Sequence, residues 1–130
     1  MLILMNNNSP LLRVLIADDD SGVASAIQSL LQENPGFKVV GIAASAKVAL
    51  ECIQADCPDL ILLDWELPGC EGADLVPEIR LRRPDVSVIV LHSRPLMKKA
   101  ALAAGADDFV SKGDPPERLL AVLQKLTHAR

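Results

Sequence analysis

Apolar positions along the chain fall into two alternating rhythms. Short runs rich in leucine and β-branched residues occur at Leu12 to Ala17, Phe37 to Ala43, Leu60 to Leu63, Val86 to Leu91 and Asp108 to Val110. Most are apolar at successive positions, as parallel strands covered on both faces are. Between them lie segments with helical spacing. Val23, Ile27, Leu30 and Leu31 recur at i, i+4, i+7 and i+8 and make one stripe. Ala49, Cys52 and Ile53 make a second. Leu75, Val76 and Ile79 make a third, in which Pro77 is expected in the first turn, where its missing N–H costs nothing. Ala100, Ala101 and Ala104 mark a small-residue helix. The last helix is expected to be capped by Asp114, with Pro115 at its first position and Glu117 completing a capping-box-like pattern. Its buried face is Leu119, Leu120, Leu123 and Leu126. Five strands alternating with five helices predict an α/β fold, a doubly wound five-stranded parallel sheet in the order 2-1-3-4-5 with right-handed crossovers.

Composition narrows the picture. The chain has 130 residues, half of them hydrophobic, which suits one domain with a real core. That domain is expected over residues 11–130. Met1 to Met5 is apolar but too short for a signal peptide or a membrane span, and Asn6 to Pro10 completes a loose leader over residues 1–10. No later apolar run reaches membrane length, so no membrane association and a cytoplasmic location are expected. The net charge of −4 argues against direct nucleic acid binding, which needs a basic face. Cys52, Cys57 and Cys70 are odd in number and irregular in spacing, so they read as reduced thiols.

Candidate chemistry collects at the ends of the predicted strands. Asp18, Asp19 and Asp20 follow the first, Asp64 ends the third, His92 and Ser93 end the fourth, and Lys112 follows the fifth. In open α/β sheets, ligands bind at the carboxyl edge where the winding reverses. With the first and third strands adjacent, Asp18, Asp19 and Asp64 should converge. Two carboxylates ~5 Å apart repel by about 3 kcal/mol at an effective dielectric of ~20. A divalent cation removes that cost. An all-oxygen ligand set suits Mg²⁺, with Mn²⁺ as the alternative. Such a site fits phosphoryl chemistry, with one carboxylate as nucleophile and Lys112 facing the phosphoryl oxygens. Asp20 or Ser21 is placed to cap the first helix. Asp56, Asp59, Asp107 and Asp108 read as turn and surface charges, and His128 as a surface residue near the last helix end.

From Arg13 to about Leu126 the chain resembles the receiver domain of two-component response regulators, the CheY-like superfamily with a flavodoxin-like fold. Three pieces carry the resemblance: Val14-Leu15-Ile16-Ala17-Asp18-Asp19; Leu62-Leu63-Asp64-Trp65-Glu66-Leu67-Pro68-Gly69 with Gly72 beyond; and Ala104-Gly105-Ala106-Asp107-Asp108-Phe109-Val110-Ser111-Lys112. Pro35-Gly36-Phe37-Lys38-Val39-Val40-Gly41 is similar to the NarL/FixJ type. The resemblance implies that Asp64 is the phosphoacceptor. It implies Mg²⁺ on Asp18, Asp19, Asp64 and the backbone carbonyl of Glu66, Lys112 against the phosphate, and Phe109 as an aromatic switch that turns inward. It implies a sensor histidine kinase as donor, autocatalytic phosphotransfer with slow autodephosphorylation, and an output face on the fourth helix, fifth strand and fifth helix. That face would meet a downstream protein or output domain, or a second copy on phosphorylation. His92 stands where the family has threonine or serine, with Ser93 one step later. The following loop is about two residues short, and Gly113 replaces a common proline.

Two other readings fit less of the chain. A pseudo-receiver that binds proteins without phosphorylation draws only on His92. A phosphatase of the haloacid dehalogenase type would want a second aspartate at Glu66.

Overall fold

The computed structural model describes residues 11–129, and for residues 127–129 the backbone alone. The expected leader and the side chain of His128 therefore lie outside the described residues. The elements run β1 (Leu12–Ala17), α1 (Ser21–Gln32), β2 (Phe37–Ala43), α2 (Ala46–Asp56), β3 (Leu60–Asp64), α3 (Gly72–Arg82), β4 (Ser87–His92), a 3₁₀ turn (Pro95–Met97), α4 (Lys98–Ala104), β5 (Asp108–Ser111) and α5 (Pro116–Ala129). All strand pairs are parallel and the order is β2-β1-β3-β4-β5, as the pattern predicts.

Side chains alternate across a strand, so each strand feeds two cores. Leu15, Ile61, Leu63, Val88, Val90 and Phe109 face α2, α3 and α4. Val14, Ile16, Leu62, Ile89, Leu91 and Val110 face α1 and α5. The central β3 is buried at every position. β2 is an edge strand and is mostly half-buried. Its register against β1 slips by one residue between Val14 and Leu15.

Two local expectations are corrected. Pro77 does not sit in a first turn, because α3 starts at Gly72. Its ring removes the bond to the Ala73 carbonyl, and both residues are exposed, so water can satisfy the orphaned oxygen. Asp114 does not cap α5 from the position next to a Pro115 start. The helix begins at Pro116, and the Asp114 carboxylate instead accepts the Ser111 N–H at 3.2 Å, closing the β5–α5 loop. Asp20 caps α1, accepting from the N–H groups of Gly22 and Val23.

Asp107 and Asp59, read as surface charges, are structural. The Asp59 carboxylate accepts the Arg13 N–H at 2.9 Å. Asp107 Oδ2 accepts the Val88 N–H and the Arg80 guanidinium, both at 2.7 Å. Arg80 also donates to the carbonyls of Gly105 and Val86, which joins α3 to the C-terminus of α4 and the start of β4. Arg80→Ala should cost about 2 kcal/mol, because it orphans backbone carbonyls as well as one carboxylate. Urea unfolding would show this as a lower midpoint at unchanged slope.

Candidate functional site at the carboxyl edge of the sheet

Asp64 is the last residue of β3 and Asp18 lies one residue beyond β1. The two strands are neighbours, with Ala17 opposite Leu63. Strand alternation then turns Asp18, Asp64 and Lys112 to the α1/α5 side, in line with Ile16, Leu62 and Val110. One carboxylate oxygen from each of Asp18, Asp19 and Asp64 lies within 4.8 Å of the others. Asp18 and Asp64 are buried, at 2% and 5% exposure, while Asp19 is exposed.

The backbone holds two of these carboxylates in place. Asp18 Oδ1 accepts the Asp20 N–H at 2.9 Å. Asp64 Oδ1 accepts the Glu66 N–H at 3.1 Å. Lys112 reaches in from beyond β5, its Nζ 2.9 Å from Asp18 Oδ2 and 3.5 Å from Asp64 Oδ1. The Asp18 contact is an ion pair without hydrogen-bond alignment, so this buried oxygen has no aligned donor. Burial pushes the Asp64 carboxyl above its usual range. The Glu66 N–H opposes that shift, the Asp18 charge adds to it, and Lys112 opposes it again. Burial alone would pull the Lys112 ammonium down, but the Asp18 and Asp64 carboxylates outweigh it and raise its pKa. The ammonium thus serves two of the three crowded carboxylates. The oxygen-only donor set, with Lys112 as the ion-pair partner of Asp18 Oδ2 but no aligned hydrogen bond on that oxygen, fits a hard divalent cation.

His92 and Ser93 do not join this cluster. His92 ends β4 on the other face, in line with Val88 and Val90, and is 3% exposed. Its Nδ1 accepts the Arg94 N–H at 2.8 Å, and its Nε2 lies 3.3 Å from Glu66 Oε1. Ser93 is exposed beyond the strand end. Phe109, opposite Val90, is 4% exposed, so its ring already lies inward. The Arg94 contact and the Glu66 side chain are site features that the sequence reading missed. Both depend on which way one ring points, and residue type does not encode that.

A family model for the response regulator receiver domain matches residues 14–124. The chain belongs to this family. Among curated relatives, the response regulator UvrY of Escherichia coli O6:H1 is 29% identical over 118 residues, covering 89% of this chain and 54% of the relative. The transcriptional regulatory protein CitT of Bacillus subtilis is 31% identical over 122 residues, covering 92% of this chain and 54% of the relative. The receiver thus spans about half the length of the curated relatives it matches. Among solved structures, the signal receiver domain of the response regulator NarL from Mycobacterium tuberculosis superposes with a TM-score of 0.84 at 27% identity, covering 94% of this chain and all of that one. Receiver domains generally bind Mg²⁺ at an acidic pocket, and an aspartate cluster stands at that place here. They work with histidine kinases and output domains. Among the described residues, no helix is long and apolar enough to cross a membrane.

In this receiver, Trp65 follows Asp64 directly and packs against the first residue of α3. A Cβ on Gly72 would stand 2.4 to 2.8 Å from three atoms of the indole. Gly72→Ala gains helix propensity of about 1 kcal/mol but must displace a rigid ring, at about 1–3 kcal/mol. The clash should win. The expected result is a net loss of stability with a red-shifted Trp65 emission, read by fluorescence during urea unfolding.

Proposed function

We propose that the chain is a phosphorylation-switched receiver of a two-component phosphorelay, with Asp64 as phosphoacceptor. The observation that carries this is the convergence of the Asp18, Asp19 and Asp64 carboxylates, two of which, Asp18 and Asp64, also meet the Lys112 ammonium. The contacts of Asp64 with Glu66 and Lys112 both fall on Oδ1, which leaves Oδ2 as the nucleophile. Asp64 Oδ2 attacks the phosphorus of a phosphohistidine on a sensor histidine kinase. An O–P bond forms as the P–N bond breaks, and the histidine nitrogen keeps the electron pair. Lys112 faces the transferred oxygens and stabilises their charge. Asp18, Asp19, Asp64 and the backbone carbonyl of Glu66 would hold Mg²⁺, which when bound offsets phosphoryl charge. Slow attack by water on the phosphorus of the acyl phosphate breaks the O–P bond, releases inorganic phosphate and returns the carboxylate.

His92 stands in the place of the family's hydroxyl switch residue, and Ser93 is the lesser candidate. Phe109 shares the His92 face and stands at the family's aromatic switch position, with its ring already inward. The face of α4, β5 and α5 would carry the output to a downstream protein, an output domain or a second copy. The negative charge of the chain supports no direct contact with nucleic acid by this module.

Acetyl phosphate with Mg²⁺ should add one labile phosphoryl group to Asp64, read by mass spectrometry. Beryllofluoride with Mg²⁺ should change Trp65 fluorescence. A stable phosphoryl group on another residue, or no response to either reagent, would overturn this reading in favour of a phosphorylation-independent binding module.

A further inference from the structure

A groove of about 840 Å³ lies between the β3–α3 loop and the start of α4, a volume in the range of small-molecule sites. Trp65, Glu66 and Cys70 line it from the loop, Met97 from the turn before α4, and His92 and Arg94 from the end of β4. No member of the acidic cluster lines it, nor does Lys112.

His92 is 3% exposed, so its ring lies almost wholly among protein atoms. The Arg94 N–H donates to Nδ1 at 2.8 Å, so the neutral ring carries its proton on Nε2. That Nε2–H has no aligned hydrogen bond. Glu66 Oε1 lies 3.3 Å away, at an ion-pair distance only. Among the described residues, Asp18 Oδ2 is the only fully enclosed side-chain oxygen or nitrogen without a hydrogen bond. The His92 Nε2 is therefore not enclosed, and the open space that His92 lines is this groove. A donor held on a buried ring, with its plane set by the Arg94 N–H, is preorganised for an acceptor in that plane.

The other lining groups define what carries the acceptor. Trp65 offers an indole that rests on Gly72. Met97 offers a thioether, which suits an aromatic ring. The Arg94 side chain is exposed and has no ion pair or hydrogen bond among the described residues, so its planar guanidinium is free to lie over a flat molecule. Glu66 and Glu71 set two carboxylates against that one guanidinium, which disfavours an anion. A protonated ring would bring a second donor and leave the Nε2–H unpartnered. We infer that this groove binds flat, uncharged heteroaromatic molecules, with an in-plane ring nitrogen accepting the His92 Nε2–H and the ring stacked on Trp65. The Glu66 side chain, 71% exposed, turns to solvent as the ring enters. The bound molecule ties the loop after Asp64 to the turn before α4.

Quinoline and naphthalene test this, since they are close in shape and differ in one ring nitrogen, unprotonated at pH 7.5. The chain has one tryptophan, so its indole N–H gives a single NMR signal to titrate. Both probes should move it, with naphthalene kept below its solubility limit. The ratio of quinoline to naphthalene affinity should be about fivefold higher in wild type than in His92→Phe, the worth of one neutral hydrogen bond. In ¹⁵N-histidine spectra of wild type, the His92 Nε2 should shift with quinoline and not with naphthalene, a readout that needs no variant. Quinoline should also slow N-ethylmaleimide labelling of Cys70 and leave Cys57, exposed outside the groove, unchanged. An indole or Nε2 signal that ignores quinoline, or an equal affinity ratio in the two proteins, would overturn the site. No phosphodonor is present, so such a result leaves the receiver reading standing, and an Asp64 that takes no phosphoryl group leaves the groove standing.

Discussion

Asp64→Asn is expected to abolish covalent phosphorylation, a loss of about 10⁴-fold or more for a removed nucleophile, and also to make the metal-free protein more stable. The first effect follows from chemistry, since a carboxamide does not attack phosphorus as a carboxylate does. The second follows from the site. Asp64 is 5% exposed, and burial followed by the Asp18 charge raises its pKa against the opposing Glu66 N–H and Lys112. A raised carboxylate binds more protons folded than unfolded. Stability therefore falls as pH rises from the unfolded value, about 3.9, through the folded one. The cost is fully present at neutral pH and absent in acid. With Lys112 offsetting part of the repulsion, relief of about 1 kcal/mol should raise the melting temperature by about 4 °C. The gain should vanish below about pH 4, where the wild-type carboxyl is protonated in both states. A melting series from pH 3.5 to 7.5 in EDTA checks the sign. A wild type more stable than Asp64→Asn at pH 7 would mean that Lys112 and Glu66 outweigh burial.

Lys112→Ala should be the most destabilising change at the site. The Asp18 side chain has no exposed surface and Lys112 is its ion-pair partner at 2.9 Å. Removing one member of a buried pair leaves an uncompensated charge, worth about 3 kcal/mol here because the lysine itself is partly exposed. The double variant Asp18→Asn/Lys112→Ala should recover much of that loss. Burial pulls the Lys112 pKa down, but the paired carboxylates raise it further, so the net shift is upward. Its stabilisation is therefore complete below the unfolded value, about 10.4, and is lost as pH rises through the folded one. The gap between wild type and Lys112→Ala should stay flat around neutrality and close only in strong alkali. Mg²⁺ should raise the melting temperature of Lys112→Ala more than that of wild type, since a cation replaces the missing ammonium. Equal shifts would place the ion away from Asp18.

Both variants act on side chains whose positions come from the order of strands, and much of that order was readable in the chain. The runs Leu12 to Ala17 and Phe37 to Ala43 match β1 and β2 end to end. β3, β4 and β5 each continue one residue further than the apolar pattern, to Asp64, His92 and Ser111. The pattern stops at the first polar side chain, but the backbone ladder does not. Asp64 pairs with Leu91 and His92 with Ser111 through main-chain groups indifferent to side-chain polarity. The same blindness hid Asp107, which looks like a turn residue until Arg80 and the Val88 N–H reach it from far along the chain.

By itself, then, the sequence determined which segments are strands and helices, the winding of the sheet, and the meeting of Asp18 with Asp64, because hydrophobic period and crossover handedness are local or topological rules. Packing alone brought His92 to face Glu66, left the buried Asp18 Oδ2 without an aligned hydrogen bond, and set Lys112 across two acids. Those facts turn on ring and ammonium directions a few ångströms across. Such directions are set by contacts between residues 26 to 94 positions apart, which no local pattern contains.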